Sequence, residues 1–112
     1  MRIHTDRNGL AVNAISKTAA GEMVEGHLYS IHVGARTVAL EFQRGPVKQH
    51  GVNGLTNEAL LAVLIHRTCY LDAQFPCAEN TQAICAMVRA LEALEARTAQ
   101  RLERGVEGTN SA

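Results

Sequence analysis

A chain of 112 residues with 46% hydrophobic residues but no Trp, two Phe and two Tyr falls in the size range of one domain, with a thin core built from Ala, Leu, Val and Ile. Eleven basic side chains balance eleven acidic ones, for a net charge of zero, which argues against a global field that draws the chain to DNA or to an anionic membrane; any affinity for nucleotides must be local. Cys69, Cys77 and Cys85 form no CxxC pair, and no apolar run reaches signal-peptide or membrane-spanning length, so reduced thiols and a cytoplasmic location are expected.

Period-two patterning dominates the first forty-odd residues, through Tyr29, Ile31 and Val33 and then Val38, Leu40 and Phe42. It predicts a hairpin of strands 28–33 and 37–42. Gly34 and Ala35 stand at its tip, where a Gly in the first central position suits a type II′ turn. Residues 2–5 and 11–16 are weaker strand candidates, with a small polar link at 17–21. The stretch 43–54, QRGPVKQHGVNG, is too broken by Gly and Pro for a helix or a central strand and reads as a connector.

Thr56 and Asn57 are good helix N-caps. Leu60, Leu61, Leu64, Ile65 and Thr68 follow at helical spacing, which predicts a first helix ending near Asp72. After Gln74, Phe75 and Pro76, the series Ile84, Val88, Leu91, Leu94, Thr98, Leu102 marks a long amphipathic helix over 77–104, stopped by Gly105. The expected class is α+β: a small N-terminal antiparallel β-sheet (1–43), a Gly-rich connector (44–55) and a two-helix C-terminal hairpin with its tail (56–109), all in one domain. Association into a homo-oligomer is expected because a chain of this length buries a limited share of its surface. Ala83, Ala86, Ala90, Ala93 and Ala96 keep the long helix slim enough for close approach of another helix, although alanine also simply favours helix.

Arg97, Arg101 and Arg104 fall at i, i+4 and i+7 and share a helix face. Neither Arg97 nor Arg101 has a carboxylate three or four positions away, so an anionic partner such as a phosphate would relieve their mutual repulsion. A solvated basic face, or pairing with Glu103 or Glu107 of another copy, explains the same spacing. Tyr70, Phe75 and Asn80 gather two of the four aromatics and an amide around the link between the helices, a set able to stack on a base and read its edge. Closing the hairpin end is their alternative role. Since the long helix runs back beside the first, these three need a neighbouring subunit to meet Arg97 and Arg101 unless the helices are short or bent. Glycines at 45–54 and 105–109 could offer backbone N–H groups to phosphates, although neither segment is a known phosphate loop and plain turns explain them as well.

Catalytic constellations are not evident. His4, His27, His32, His50 and His66 lie in different elements and form no metal-binding pair apart from the loosely placed His27 and His32, His66 and Cys69 read as packing rather than a nucleophile, and Glu92 and Glu95 look solvent-facing. No catalytic residue, metal or cofactor is expected.

The segments FQRGPVKQHGVNG, TNEALLAVLIHR, FPCAENTQAI and ALEARTAQRLERGVEGT, within 42–109, resemble in this order the helical-hairpin domain of phage Thoeris anti-defence proteins, which carry a small antiparallel sheet in front of it. The resemblance implies a sponge without turnover that sequesters a cyclic ADP-ribose derivative made by a TIR-domain enzyme, acting in the cytoplasm of the infected bacterium. It also implies a hexamer built as a trimer of dimers, as in similar anti-CBASS sponges, with separate sites for cyclic di- and trinucleotides. By matching position it implies Tyr70 as the adenine stack, Asn80 as a polar contact and Arg97 and Arg101 as phosphate ligands. Phe75 would join the stacking end, while Arg104, Gly105, Gly108 and Thr109 would contribute to a cyclic-oligonucleotide site. A nucleotide-cleaving enzyme and a small structural or regulatory oligomer are the alternative functions.

Overall fold

The computed structural model describes residues 1–105, so Gly108 and Thr109 lie outside the described residues. The chain divides into two compact units, Met1–Leu55 and Thr56–Ala112, with the boundary where the connector meets the first N-cap. The first unit is a four-stranded antiparallel sheet in sequential order, β1 (Arg2–Thr5), β2 (Ala11–Lys17), β3 (Met23–Val33) and β4 (Arg36–Glu41). Both weaker strand candidates are therefore strands, and β3 begins five residues before the expected 28. The extension escapes period-two reading because the register of β2 against β3 shifts between Ile15 and Lys17, which breaks the alternation of faces.

Each turn closes by local chemistry. Asp6 Oδ1 accepts hydrogen bonds from Asn8 N and Leu10 N, both at 2.9 Å, between β1 and β2. Thr18 does the same between β2 and β3, where its Oγ1 accepts from Glu22 N at 3.1 Å. Between β3 and β4, Val33 pairs with Arg36 across Gly34 at φ +59° and an Ala35 that is not at positive φ, the signature of the expected type II′ turn. Register then sorts the side chains: Val12, Ala14, Tyr29, Ile31, Val38 and Leu40 share one face, and Asn13, Ser30, His32 and Thr37 share the other. Phe42 extends the apolar face by an edge-on contact with Tyr29, ring centroids 5.7 Å apart.

The connector is more ordered than its composition suggests. It contains a single helical turn, α1 (Val47–His50), where no helix was expected: Pro46, at φ −66°, stands at its N-cap and has no N–H to leave unsatisfied. Two amide side chains bind the loop to itself. Gln43 Nε2 donates to Gly51 O at 2.8 Å and Gln43 Oε1 accepts from Asn53 N at 2.9 Å. Asn53 Oδ1 accepts from Arg44 N and Asn53 Nδ2 donates to Arg44 O, both at 2.8 Å. The strand ladder resumes at Leu55, whose N donates to Glu41 O at 2.8 Å and whose O accepts from Gln43 N at 2.9 Å. Gly54 permits this approach, because a Cβ there would sit 2.5 Å from the Phe42 carbonyl carbon.

The second unit is the helical hairpin of α2 (Asn57–Gln74) and α3 (Ala78–Glu103). Thr56 caps α2 as expected, its Oγ1 accepting from Ala59 N at 3.1 Å. Leu61, Ile65, Thr68 and Asp72 of α2, spaced i, i+4, i+7 and i+11, are half-buried, as are Ile84, Val88, Leu91, Leu94 and Thr98 of α3. These rows form the seam of an antiparallel pair. Little else is covered, and among the described residues of the two helices Arg101 alone is buried.

Candidate functional site

The stacking candidates sit at the hairpin end, on the surface. Tyr70, one turn before the end of α2, is 57% exposed, and Phe75, the C-cap residue of α2, is 78% exposed. Neither is spent on closing the core of the hairpin, so both rings retain a face for a planar partner. Asn80 is half-buried in the first turn of α3 and its Nδ2 donates to Phe75 O at 3.5 Å. That contact ties the amide to the backbone beside the Phe75 ring and leaves its oxygen available as an acceptor.

Tyr70 also lines a shallow groove on α2 with Ala62, Val63, His66 and Arg67. Arg67 was missed by sequence reasoning. It precedes Tyr70 by three positions, which places a guanidinium one helical turn from the ring, and this i, i+3 spacing was the readable signal. Val63, at 61% exposure, extends the groove with apolar surface.

The arginines occupy the opposite end. Arg97 and Arg101 lie in the last two turns of α3, and Arg104 is the C-cap residue, at φ −80° and ψ −5°. Arg97 and Arg104 are exposed, whereas Arg101 is only 5% exposed. The expected stack of three equivalent cations is thus unequal in depth, because helical spacing determines azimuth and says nothing about cover. Both Arg101 and Arg104 have interaction partners, which for Arg101, held away from water, is what burial of a guanidinium requires. Gly105 follows at φ +71°, where the helix was expected to stop.

Arg97 follows Asn80 by seventeen positions in α3, so at about 1.5 Å per residue the two are about 25 Å apart along the axis. One hairpin therefore does not bring its stacking end and its arginine end to a common small ligand. Elsewhere, the sheet unit has a cleft lined by Thr18, Glu22, His27, Glu41 and Arg44, occupied in part by an ion pair between Arg44 and Glu22. His32 Nδ1 and Thr37 Oγ1 lie 3.3 Å apart on the polar sheet face. Cys69, Cys77 and Cys85 are free thiols on the surface. Among the described residues no three His, Cys, Asp or Glu side chains converge as metal ligands, and no helix is long and apolar enough to cross a membrane.

No family model matches the chain. It is 38% identical over 110 residues to Thoeris anti-defense 1 of Bacillus phage SBSphiJ7, across 97% of this chain and 68% of that protein. An identity of this size, continuous through sheet, connector and both helices, reaches well beyond what shared composition produces, and the chain accordingly belongs to the Thoeris anti-defence 1 family.

Proposed function

We propose that the protein is a sponge: it binds a cyclic nucleotide immune signal of the cyclic ADP-ribose type, glycocyclic ADP-ribose from TIR-domain Thoeris enzymes, and holds it without cleaving it. The observation that carries this reading is the kinship with Thoeris anti-defense 1 over nearly the whole chain. The surface chemistry supports it. An exposed aromatic beside a guanidinium, Tyr70 with Arg67, suits an adenine ring stacked on one face. Arg97, exposed near the end of α3, suits a diphosphate bound through charge-assisted hydrogen bonds. Arg101 would act from a fixed position, since a guanidinium has five N–H donors and can serve a phosphate while engaged elsewhere.

In this reading the pocket is completed between copies of the chain, because the stacking end of one hairpin has to meet the arginine end of another. The helices are suited to that role. Ala83, Ala86, Ala90 and Ala93 form an exposed slim row on α3, and α2 exposes Val63 and Leu64 away from its seam. A hexamer arranged as a trimer of dimers satisfies the pairing, with Arg104, Gly105, Gly108 and Thr109 forming a separate site for cyclic di- or trinucleotides. Action in the host cytoplasm, where such signals are made, is part of the proposal.

Calorimetry against glycocyclic ADP-ribose, ADP-ribose and cyclic di- and trinucleotides tests it, combined with chromatography of the ligand freed by heating the complex. Saturable binding with the cyclic ADP-ribose derivative recovered intact supports the sponge. A cleaved product accumulating beyond the protein concentration would establish a nucleotide-cleaving enzyme instead. Heat-free titrations with every nucleotide would leave a structural or regulatory oligomer as the function.

A further inference from the structure

The two edges of the sheet are built differently. At the β1 edge the register shifts between Arg2 and His4, and the Met1 amino group is tied to Ala14 O at 2.9 Å. Irregularity and charged or ionisable side chains are the usual means of blunting an edge. At the β4 edge none of these is present over Thr37, Val38, Ala39 and Leu40, which contain no Pro, no charge and no register shift.

Which backbone groups of β4 face outward follows from three hydrogen bonds. Phe42 N donates inward to His27 O at 2.7 Å, while Glu41 O and Gln43 N both bond outward, to Leu55. Peptide groups alternate along a strand, so the N–H and C=O of Thr37 and of Ala39 point away from β3. Leu55 occupies the outer side from Glu41 onward, and the turn at Gly34 ends the strand on the other side. The unpaired segment is therefore short: Thr37 and Ala39 each present a donor and an acceptor, and the Glu41 N–H points outward beside Leu55. Arg36, Thr37, Val38 and Ala39 are exposed, and Val38 is 42% exposed.

We propose that this edge pairs antiparallel with the β4 edge of a second copy of the chain, about a two-fold axis at Val38. The pattern of free groups is self-complementary only in that register. Faces match across an antiparallel pair when opposed residues have the same parity, which restricts the axis to a residue and not a peptide bond. Centred on Val38, Thr37 opposes Ala39 of the other copy twice, so the donors and acceptors of both residues are met and four hydrogen bonds form. Centred on Ala39, the partner strand would run into Leu55. The chosen register also sets Val38 against Val38 in a non-hydrogen-bonded pair, where Cα atoms approach to about 4.5 Å, and a pair of β-branched residues is favourable there. It continues the apolar sheet face, with Leu40 of each copy beside the aliphatic stem of Arg36 of the other. This contact is independent of the nucleotide-binding reading, since it uses no residue of the hairpin.

Two variants of the full chain test it. Val38→Cys places a thiol on the axis, and mild oxidation is expected to give a disulfide-linked dimer whose 38–38 linkage is identified by peptide mass spectrometry; Thr37→Cys, with no copy of itself opposite, is expected to give none. Ala39→Pro removes an N–H that serves no bond within the chain, so far-ultraviolet circular dichroism is expected to stay unchanged while the molar mass by sedimentation falls about two-fold. A Val38→Cys chain that forms no 38–38 link, or that links position 38 to one of the native cysteines instead, overturns the proposal. So does a folded Ala39→Pro chain with the mass of the parent, which would leave the edge to an extended segment of some other protein.

Discussion

A Tyr70→Ala substitution removes the aromatic plate proposed to stack on adenine while asking little of the fold. The ring is 57% exposed on α2, so less than half of its surface contributes to packing, and Ala raises helix propensity by about 0.5 kcal/mol at the same position. These terms oppose each other and leave folding stability within about 1 kcal/mol of the parent. Base stacking on an aromatic contributes about 1–3 kcal/mol, so the dissociation constant for glycocyclic ADP-ribose is expected to rise by about 5- to 150-fold. Calorimetry measures the loss and thermal unfolding of the unliganded chain measures the control, while Tyr70→Phe, which keeps the plate, should bind within about three-fold of the parent. A dissociation constant unchanged by Tyr70→Ala would refute the stacking role. A loss of binding matched by a collapse of the unliganded melting temperature would show instead that the ring is structural.

The arginines divide by depth: Arg97→Ala, at an exposed position, is expected to weaken binding at least about ten-fold with an unchanged melting temperature, whereas Arg101→Ala, at a buried one, is expected to lower both by calorimetry and thermal unfolding. Asn53→Ala deletes two hydrogen bonds to Arg44 and one end of the connector clamp, for about 1–2 kcal/mol of stability and faster amide exchange at Arg44. Gly54→Ala drives a Cβ against the Phe42 backbone and is expected to cost about 1–3 kcal/mol in denaturant unfolding. Thr56→Ala removes the α2 cap, for about 1 kcal/mol in the same measurement.

What could be read in advance followed from patterns with a single physical cause. The β3–β4 hairpin was legible because Tyr29, Ile31 and Val33 alternate cleanly and Gly34 supplies the φ +59° that its turn requires. The start of α2 was legible because Thr56 has few roles other than a cap. The early start of β3 was hidden by the register shift opposite Ile15. The order of the connector was hidden because Gly and Pro advertise a loop, whereas its rigidity comes from Gln43 and Asn53, ten positions apart, whose amides read as ordinary polar surface. At the candidate site the azimuth of each residue was predictable and its depth was not: spacing placed Arg97 and Arg101 on one face, and only the packed chain separates an exposed guanidinium from a buried one.

The thinness of the core connects the fold to the proposed activity. Among the described residues only Ala11 and Val24 are buried apolar side chains, and the hairpin exposes Val63, Leu64, Leu71 and Leu102 as well as its aromatics. A chain of this length gains its missing burial most readily from a second copy, and an assembly held this way couples folding to association. If the nucleotide pocket is shared between copies, a ligand that bridges the stacking end of one hairpin and the arginine end of another stabilises the assembly as well as the site. The melting temperature should then rise with protein concentration in the absence of ligand and become less dependent on it once the signal is bound, because ligand and association draw on the same interface. A melting temperature independent of concentration, in a chain that still binds the signal, would place the whole pocket within one copy and require the 25 Å between Asn80 and Arg97 to be bridged by other residues.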